Sequence, residues 1–223
     1  MKKKYAFVID LRKCVGCGGC QVSCKQENEV PFGAFRSRVD YADRGKFPDA
    51  KRYFMPKLCN HCDVPPCTSP CPVKGATYKR PDGIVVVDKN LCIGCGRCVD
   101  SCPYSARYMN HNFNIRNNPT KYSSQVGEVK GKTQKDLFPA DKCDFCIHRI
   151  AAGIEEPACV RNCVGKARYF GDLNDQNSIV SVLLREVKSF KWLPEYGTKP
   201  SVSYFVKDYA VFEIAGQEIN REG

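Results

Sequence analysis

No apolar run in this chain approaches the roughly 20 residues that a helix needs to cross a bilayer. The longest candidates, residues 6–9, 84–87 and 179–184, each end within a few positions. The start, Met1 to Lys4, has the basic look of an export signal. Its apolar stretch stops at Asp10, however, and Arg12, Lys13 and Cys14 follow with no small-residue cleavage site. A twin-arginine signal is missing as well, so the chain is expected to carry no export address of its own. It also lacks a Gly-rich nucleotide loop, a nucleophile elbow and a convincing acid–base set. Histidine is scarce, with three in 223 residues, and there is one tryptophan. No catalytic residue is expected.

Acidic residues are in deficit, 24 against 35 basic, which leaves a formal charge of +11. Such an excess suggests nucleic acid, an anionic membrane or an acidic partner. The lysines and arginines are scattered and carry no interleaved aromatic stacking motif, so no nucleic-acid partner is expected.

What the chain has is cysteine. Its sixteen cysteines fall into four groups of four. The groups are Cys14, Cys17, Cys20, Cys24; Cys59, Cys62, Cys67, Cys71; Cys92, Cys95, Cys98, Cys102; and Cys143, Cys146, Cys159, Cys163. This is an internal repeat. Zinc ribbons use two C-x2-C pairs per metal and have no use for the third cysteine of the first and third groups. A disulfide framework suits a small secreted chain with a signal peptide, and none is seen here.

The third group reads C-x2-C-x2-C-x3-C with Pro103 following, and the first has the same spacing. That is the bacterial ferredoxin run, in which three cysteines bind one cluster and the fourth reaches another. Gly16, Gly18 and Gly19, like Gly94 and Gly96, allow a tight loop whose N–H groups approach the cluster. The second group lengthens one spacer to four residues, including Pro65 and Pro66. The fourth inserts twelve residues between its second and third cysteines. Four 4Fe–4S clusters are therefore expected, with all sixteen cysteines as iron ligands. Loaded clusters would add roughly −8 and cancel most of the +11. A four-cysteine cluster leaves no open site for substrate, so the chain is expected to move electrons only. His61 and His148 stand beside cysteines and read as surface residues or as supports behind the ligands. Tyr104, Tyr108 and Tyr169 read as packing.

Short strands are expected over 5–10 and 83–88, each a β-branched or aromatic run ending in Asp. Three similar exits follow the last cysteine of a group: Gly75-Ala-Thr-Tyr78, Ser105-Ala-Arg-Tyr108 and Gly165-Lys-Ala-Arg-Tyr169. Two spacers, 31–56 and 110–141, read as surface insertions. A helix is expected from Ser178 to about Phe190, ended by Pro194, and a strand over 201–206.

These residues resemble the four-cluster iron–sulfur (beta) subunits of the molybdopterin oxidoreductase, or dimethyl sulfoxide reductase, superfamily. The resemblance is to the polysulfide, thiosulfate, tetrathionate and arsenate reductase type. It rests on Val8-Ile-Asp10 before Cys14-Val-Gly-Cys17-Gly-Gly-Cys20 and on Cys59-Asn-His-Cys62-Asp-Val-Pro-Pro-Cys67. Further support comes from Cys92-Ile-Gly-Cys95, Lys142-Cys-Asp-Phe-Cys-Ile-His-Arg149, Pro157-Ala-Cys159-Val, Gly171-Asp-Leu173, Leu193-Pro-Glu195 and Gly197-Thr-Lys-Pro200.

The resemblance implies an α+β fold of two bacterial-ferredoxin-like double-cluster units with loop insertions and a C-terminal helix/strand extension. Unit one would comprise 1–30 plus 141–172, and unit two 56–110. The insertions would be 31–55 and 111–140, and the extension 173–223. It also implies how ligands are shared: Cys14, Cys17 and Cys20 with Cys163; Cys143, Cys146 and Cys159 with Cys24; Cys59, Cys62 and Cys67 with Cys102; Cys92, Cys95 and Cys98 with Cys71. The implied partners are a large molybdopterin (Mo or W) catalytic subunit and an integral membrane quinone-reactive subunit or a cytochrome. The implied setting is anaerobic respiration at the bacterial inner membrane, on the periplasmic side by co-export with the catalytic subunit, or else the cytoplasmic side. A stand-alone polyferredoxin-like carrier, or the electron-input subunit of a formate- or hydrogenase-linked complex, is the alternative. The chain departs from its relatives at Lys25 and Val164, which stand where Pro follows Cys71 and Cys102.

Overall fold

Tyr5–Asp10 forms β1, and all six of its residues are buried. A strand covered on both faces must be apolar along its length rather than alternating, and the run Tyr-Ala-Phe-Val-Ile meets that demand. The computed structural model describes residues 2–109 and 139–207. β1 is the middle strand of a three-stranded sheet. It pairs antiparallel with β8 (Arg168–Asp172) and parallel with β9 (Val202–Phe205). The chain after the last cysteine thus returns to complete the sheet that the first residues begin.

The exits read from the sequence are strands. β4 (Thr77–Lys79) forms a hairpin with β5 (Val85–Val87), and β6 (Arg107–Met109) pairs with β7 (Ala140–Lys142). The helices that follow the cysteine loops are short: α1 (Gly19–Asn28), α2 (Arg97–Asp100), α3 (Ile147–Ala151) and α4 (Ala158–Arg161). One apolar cluster joins both halves of the chain. It contains Tyr5, Phe7 and Phe170 beside Phe145, Ile84, Tyr104 and Tyr204.

Residues 31–55 are only partly a surface insertion. They contribute to a long hairpin of β2 (Ser37–Arg44) and β3 (Lys51–Leu58), paired over eight positions. Its tip is open, with Phe47 93% exposed, but its base carries buried Arg36, Ser37, Met55 and Leu58. The Arg36 guanidinium reaches Asp141 at 2.9 Å and Asp144 at 3.1 Å. Asp141 also receives Lys89 and the Tyr108 hydroxyl, each at 3.1 Å. One buried carboxylate therefore ties the hairpin, the fourth cysteine group and the 56–110 region together.

The C-terminal helix is shorter than expected. α5 (Ile179–Glu186) follows Ser178 but ends at Val187, whose backbone is extended. Pro194 does not stop it; that residue opens a separate short turn, Pro194–Tyr196. The reason is packing. Val180 is buried with Val8 and Phe205, and Val187 turns in against the same cluster. Within the strand expected over 201–206, Val202–Phe205 forms β9. The 111–140 spacer lies outside the described residues except for its last two positions.

Candidate iron–sulfur centres

All four cysteine groups begin C-x2-C, and in each the residue just before the second cysteine has a positive φ. These residues are Gly16 (68°), His61 (41°), Gly94 (69°) and Phe145 (59°). Glycine accepts this conformation freely, whereas it costs His61 and Phe145 about 1 kcal/mol or more. Four loops of unlike sequence thus share one turn, which curls the two flanking cysteines toward a common centre.

The loops are completed by cysteines from elsewhere. Cys14, Cys17 and Cys20 line one cavity with Cys163, of about 340 Å³ with its open mouth. Cys59, Cys62 and Cys67 line another with Cys102, of about 310 Å³. Cys92, Cys95 and Cys98 line a third with Cys71, of about 340 Å³. The remaining set is Cys24, Cys143, Cys146 and Cys159. Cys143 lies close enough to Cys24, Cys159 and Cys146 for mutual repulsion of their thiolates. The Asn28 amide bridges two of them, with Nδ2 3.6 Å from Cys24 Sγ and 3.8 Å from Cys146 Sγ.

Backbone amides serve the sulfurs. The Ala167 N–H donates to Cys163 Sγ at 3.3 Å, and the Phe145 N–H to Cys143 Sγ at 3.4 Å. The amides of Tyr104 and Ala106 serve Cys102 in the same way. Cys163 to Ala167 and Cys102 to Ala106 are the same step in two copies of the repeat.

Would these sets accept an iron–sulfur cluster? Burial pushes the Cys62 thiol up to about 12 and the Cys146 thiol up to about 11, with neighbouring cysteines adding to both. Cys143 is raised further by burial and by Cys24 and Cys159. Sulfurs crowded in a dry site resist becoming anions unless a cation joins them. Iron would supply that positive charge, as it does for any coordinating thiolate. A second observation concerns arginine. Arg107 and Arg168 are buried, yet among the described residues Nε and Nη1 of Arg107 and both Nη atoms of Arg168 have no hydrogen-bond partner. Both face the cysteine cavities. Buried guanidinium groups call for an anion, and a thiolate-ligated cluster is one. The donor set and its surroundings fit 4Fe–4S clusters.

His61 is not at the surface. It is fully buried, and Nδ1 accepts the Val85 N–H at 3.0 Å. Burial, with Lys142 and Arg107 nearby, holds its pKa well below the usual histidine value, so it is neutral. His148 is exposed and pairs with Glu27 at 2.8 Å. Tyr104 is buried, and its hydroxyl bonds that of Thr198 beside the Cys59 set. Sequence reasoning misses Asn28, Arg36, Arg107, Arg168 and Thr198. The repeated Ala-Arg-Tyr of two exits is the one available signal for Arg107 and Arg168.

Comparison of the sequence with known proteins gives the family. The chain matches the 4Fe-4S dicluster domain over residues 50–123 and 129–173. It is 44% identical over 215 residues to a tetrathionate reductase subunit of Salmonella typhimurium, covering 94% of this chain and 75% of that protein. It is 40% identical over 210 residues to a selenate reductase subunit of Mesobacillus selenatarsenatis, covering 90% and 71%. It is 36% identical over 232 residues to the arsenate respiratory reductase iron-sulfur subunit ArrB of a Shewanella species, covering 93% and 98%.

Proposed function

This chain belongs to the 4Fe-4S dicluster family as an iron–sulfur electron-transfer subunit of the molybdopterin oxidoreductases, and we propose that its sixteen cysteines form one four-centre relay. The chain relays electrons between a molybdopterin catalytic subunit and a second redox partner. The observation that carries the relay is the convergence of three three-cysteine loops, each with one cysteine from another loop, around cavities, with Cys24 close to Cys143, Cys146 and Cys159 in the remaining set. Cys14, Cys17, Cys20 and Cys163 would hold one cluster; Cys24, Cys143, Cys146 and Cys159 a second. Cys59, Cys62, Cys67 and Cys102 would hold a third; Cys71, Cys92, Cys95 and Cys98 a fourth.

Each cluster, when bound, supplies one-electron redox chemistry. The chain's own residues do the rest. Amide donors and buried arginines stabilise negative charge on the sulfurs, which favours the reduced form. Apolar walls, Val39 and Pro56 at the Cys14 site and Val85 at the Cys59 site, limit the access of water.

Exposure suggests an order. Cys17 and Cys95 are the exposed cysteines, and they lie in the first and fourth sets. The second set is wholly buried, and the third nearly so. Electrons would therefore enter and leave at the Cys17 and Cys95 ends and pass through the buried pair of sites between. We assign the two sharing pairs to two ferredoxin-like units, residues 1–30 with 141–172, and 56–110. We further place a quinone-reactive membrane subunit or a cytochrome at one end, with the complex on the periplasmic face of the inner membrane.

Anaerobic purification of the native complex tests this. A large molybdenum- or tungsten-containing chain should co-purify, and its substrate should reoxidise the reduced clusters. A stable monomer with no such chain in native extracts would contradict the subunit role.

A further inference from the structure

Most buried cations in this protein are matched by oxygen. Arg36 has Asp141 and Asp144, and Lys57 has Asp40. Lys142 donates to the carbonyls of Val85 and Cys143. Arg149 bonds Glu27 and the Glu156 carbonyl. Arg107 and Arg168 differ. They are 4% and 3% exposed, and among the described residues neither forms an ion pair with a carboxylate.

Their placement follows the repeat. Arg107 opens β6, five residues after Cys102; Arg168 opens β8, five residues after Cys163. Each is preceded by a buried or half-buried Ala and followed by Tyr. The third exit has Thr77 at this place, and Thr77 Oγ1 accepts a bond of 2.8 Å from Arg107 Nη2. That bond fixes the guanidinium and leaves Nε and Nη1 for the cavities. The first group ends in α1 and has no such exit. One arginine is thus present for each pair of cysteine sets.

Each arginine also lies between its two sets. Arg107 lines both the Cys59 cavity and the Cys71 cavity. Arg168 lines the Cys14 cavity and stands beside Cys159 of the neighbouring set. A guanidinium group stays protonated in proteins, so both are fixed positive charges even where they are buried.

We propose that Arg107 and Arg168 are potential-setting residues, each a buried cation shared by the two clusters of one ferredoxin-like unit and holding both of their potentials up. The inference rests on the four-cluster ligand sets given above. A fixed positive charge in a dry site favours the more negative, reduced form of any nearby cluster. Sharing one cation between two clusters moves both potentials together, which leaves the driving force for electron transfer within a unit unchanged.

The test is a redox titration, followed by electron paramagnetic resonance, of the intact complex carrying R107Q, R107K or R168Q. Metal analysis of the parent comes first: if it lacks four clusters, the ligand assignment fails and not this inference. In R107Q, two of the four centres should become harder to reduce. At a fixed potential their reduced-to-oxidised ratio should fall about tenfold, equivalent to about 59 mV for one electron. The other two should stay where they are. R168Q should move the complementary two, and R107K should stay near the parent values because it keeps the charge. Unmoved potentials in R107Q with full iron content would overturn the proposal. So would an equal shift of all four centres. Equal loss of iron from R107Q and R107K would overturn it as well, because it would show that shape and not charge matters there.

Discussion

His61 and Phe145 hold the same place in two different cysteine loops, and their rings meet at a tilt of 37° at the boundary between those loops, with centroids 3.7 Å apart. Each is the residue before the second cysteine of its group, and each has the left-handed backbone that glycine supplies in the other two loops. The two groups that lack glycine at this position therefore carry rings there, and the rings join the Cys59 set to the Cys143 set.

Replacing His61 with Ala should open a cavity and leave the Val85 N–H without its acceptor. The expected cost is about 3 kcal/mol. Bleaching of the cluster absorbance on heating should occur at a clearly lower temperature. An unchanged bleaching temperature would mean that the ring contact holds nothing together.

The Arg36–Asp141 pair makes the second prediction. Both side chains are below a tenth exposed, so removing one leaves a buried charge behind. R36M should destabilise the protein by about 3 kcal/mol, softened by Lys89 and Tyr108, which still reach Asp141. R36K should fall between, since lysine keeps the charge and loses the fork that spans Asp141 and Asp144. Urea midpoints read from cluster absorbance would rank the three proteins; R36K no better than R36M would refute this ordering.

Gly16 illustrates a constraint on one centre alone. Its φ is 68°, and a Cβ there would run into the Phe54 ring. G16A should therefore disturb the Cys14 loop and spare the others, lowering iron by about four atoms per chain. Full iron content in G16A would show that the loop can shift at little cost.

Lys191 sets a pH dependence. Burial pulls its ammonium group down to about 8, against partial support from Asp63. Below about 8 both folded and unfolded chains are protonated, and the folded state bears the cost of the buried charge. As pH rises from about 8 to about 10.5, the unfolded chain binds more protons and stability climbs. The gain reaches at most about 3 kcal/mol. K191M should lack this rise in a thermal-bleaching series across that window. A parent protein whose stability is flat there would contradict the assignment.

The parts of this molecule most legible in its sequence are those where one physical demand acts alone. β1 is buried on both sides, so its residues are apolar without interruption. The cysteine spacing shows because four sulfurs must reach one centre. The exits after Cys71, Cys102 and Cys163 repeat because each must return as a strand. Other parts answer to several demands at once. The β2–β3 hairpin reads as a charged spacer because only its base is covered. The end of α5 is set by the contact of Val187 with Val8 and Phe205, which lie far away in sequence. Arg107 and Arg168 show in the sequence only as the middle of a repeated Ala-Arg-Tyr, and their burial follows from where β6 and β8 run. His61 reads as a surface residue or a helper of the ligands, and its burial follows only from how the loops meet.

The central claim is that every cysteine serves a cluster, and counting metal tests it most directly. Iron and acid-labile sulfide in the anaerobically purified protein should each come to about sixteen per chain, with no zinc. Eight or fewer iron atoms, or stoichiometric zinc, would contradict the four-centre relay.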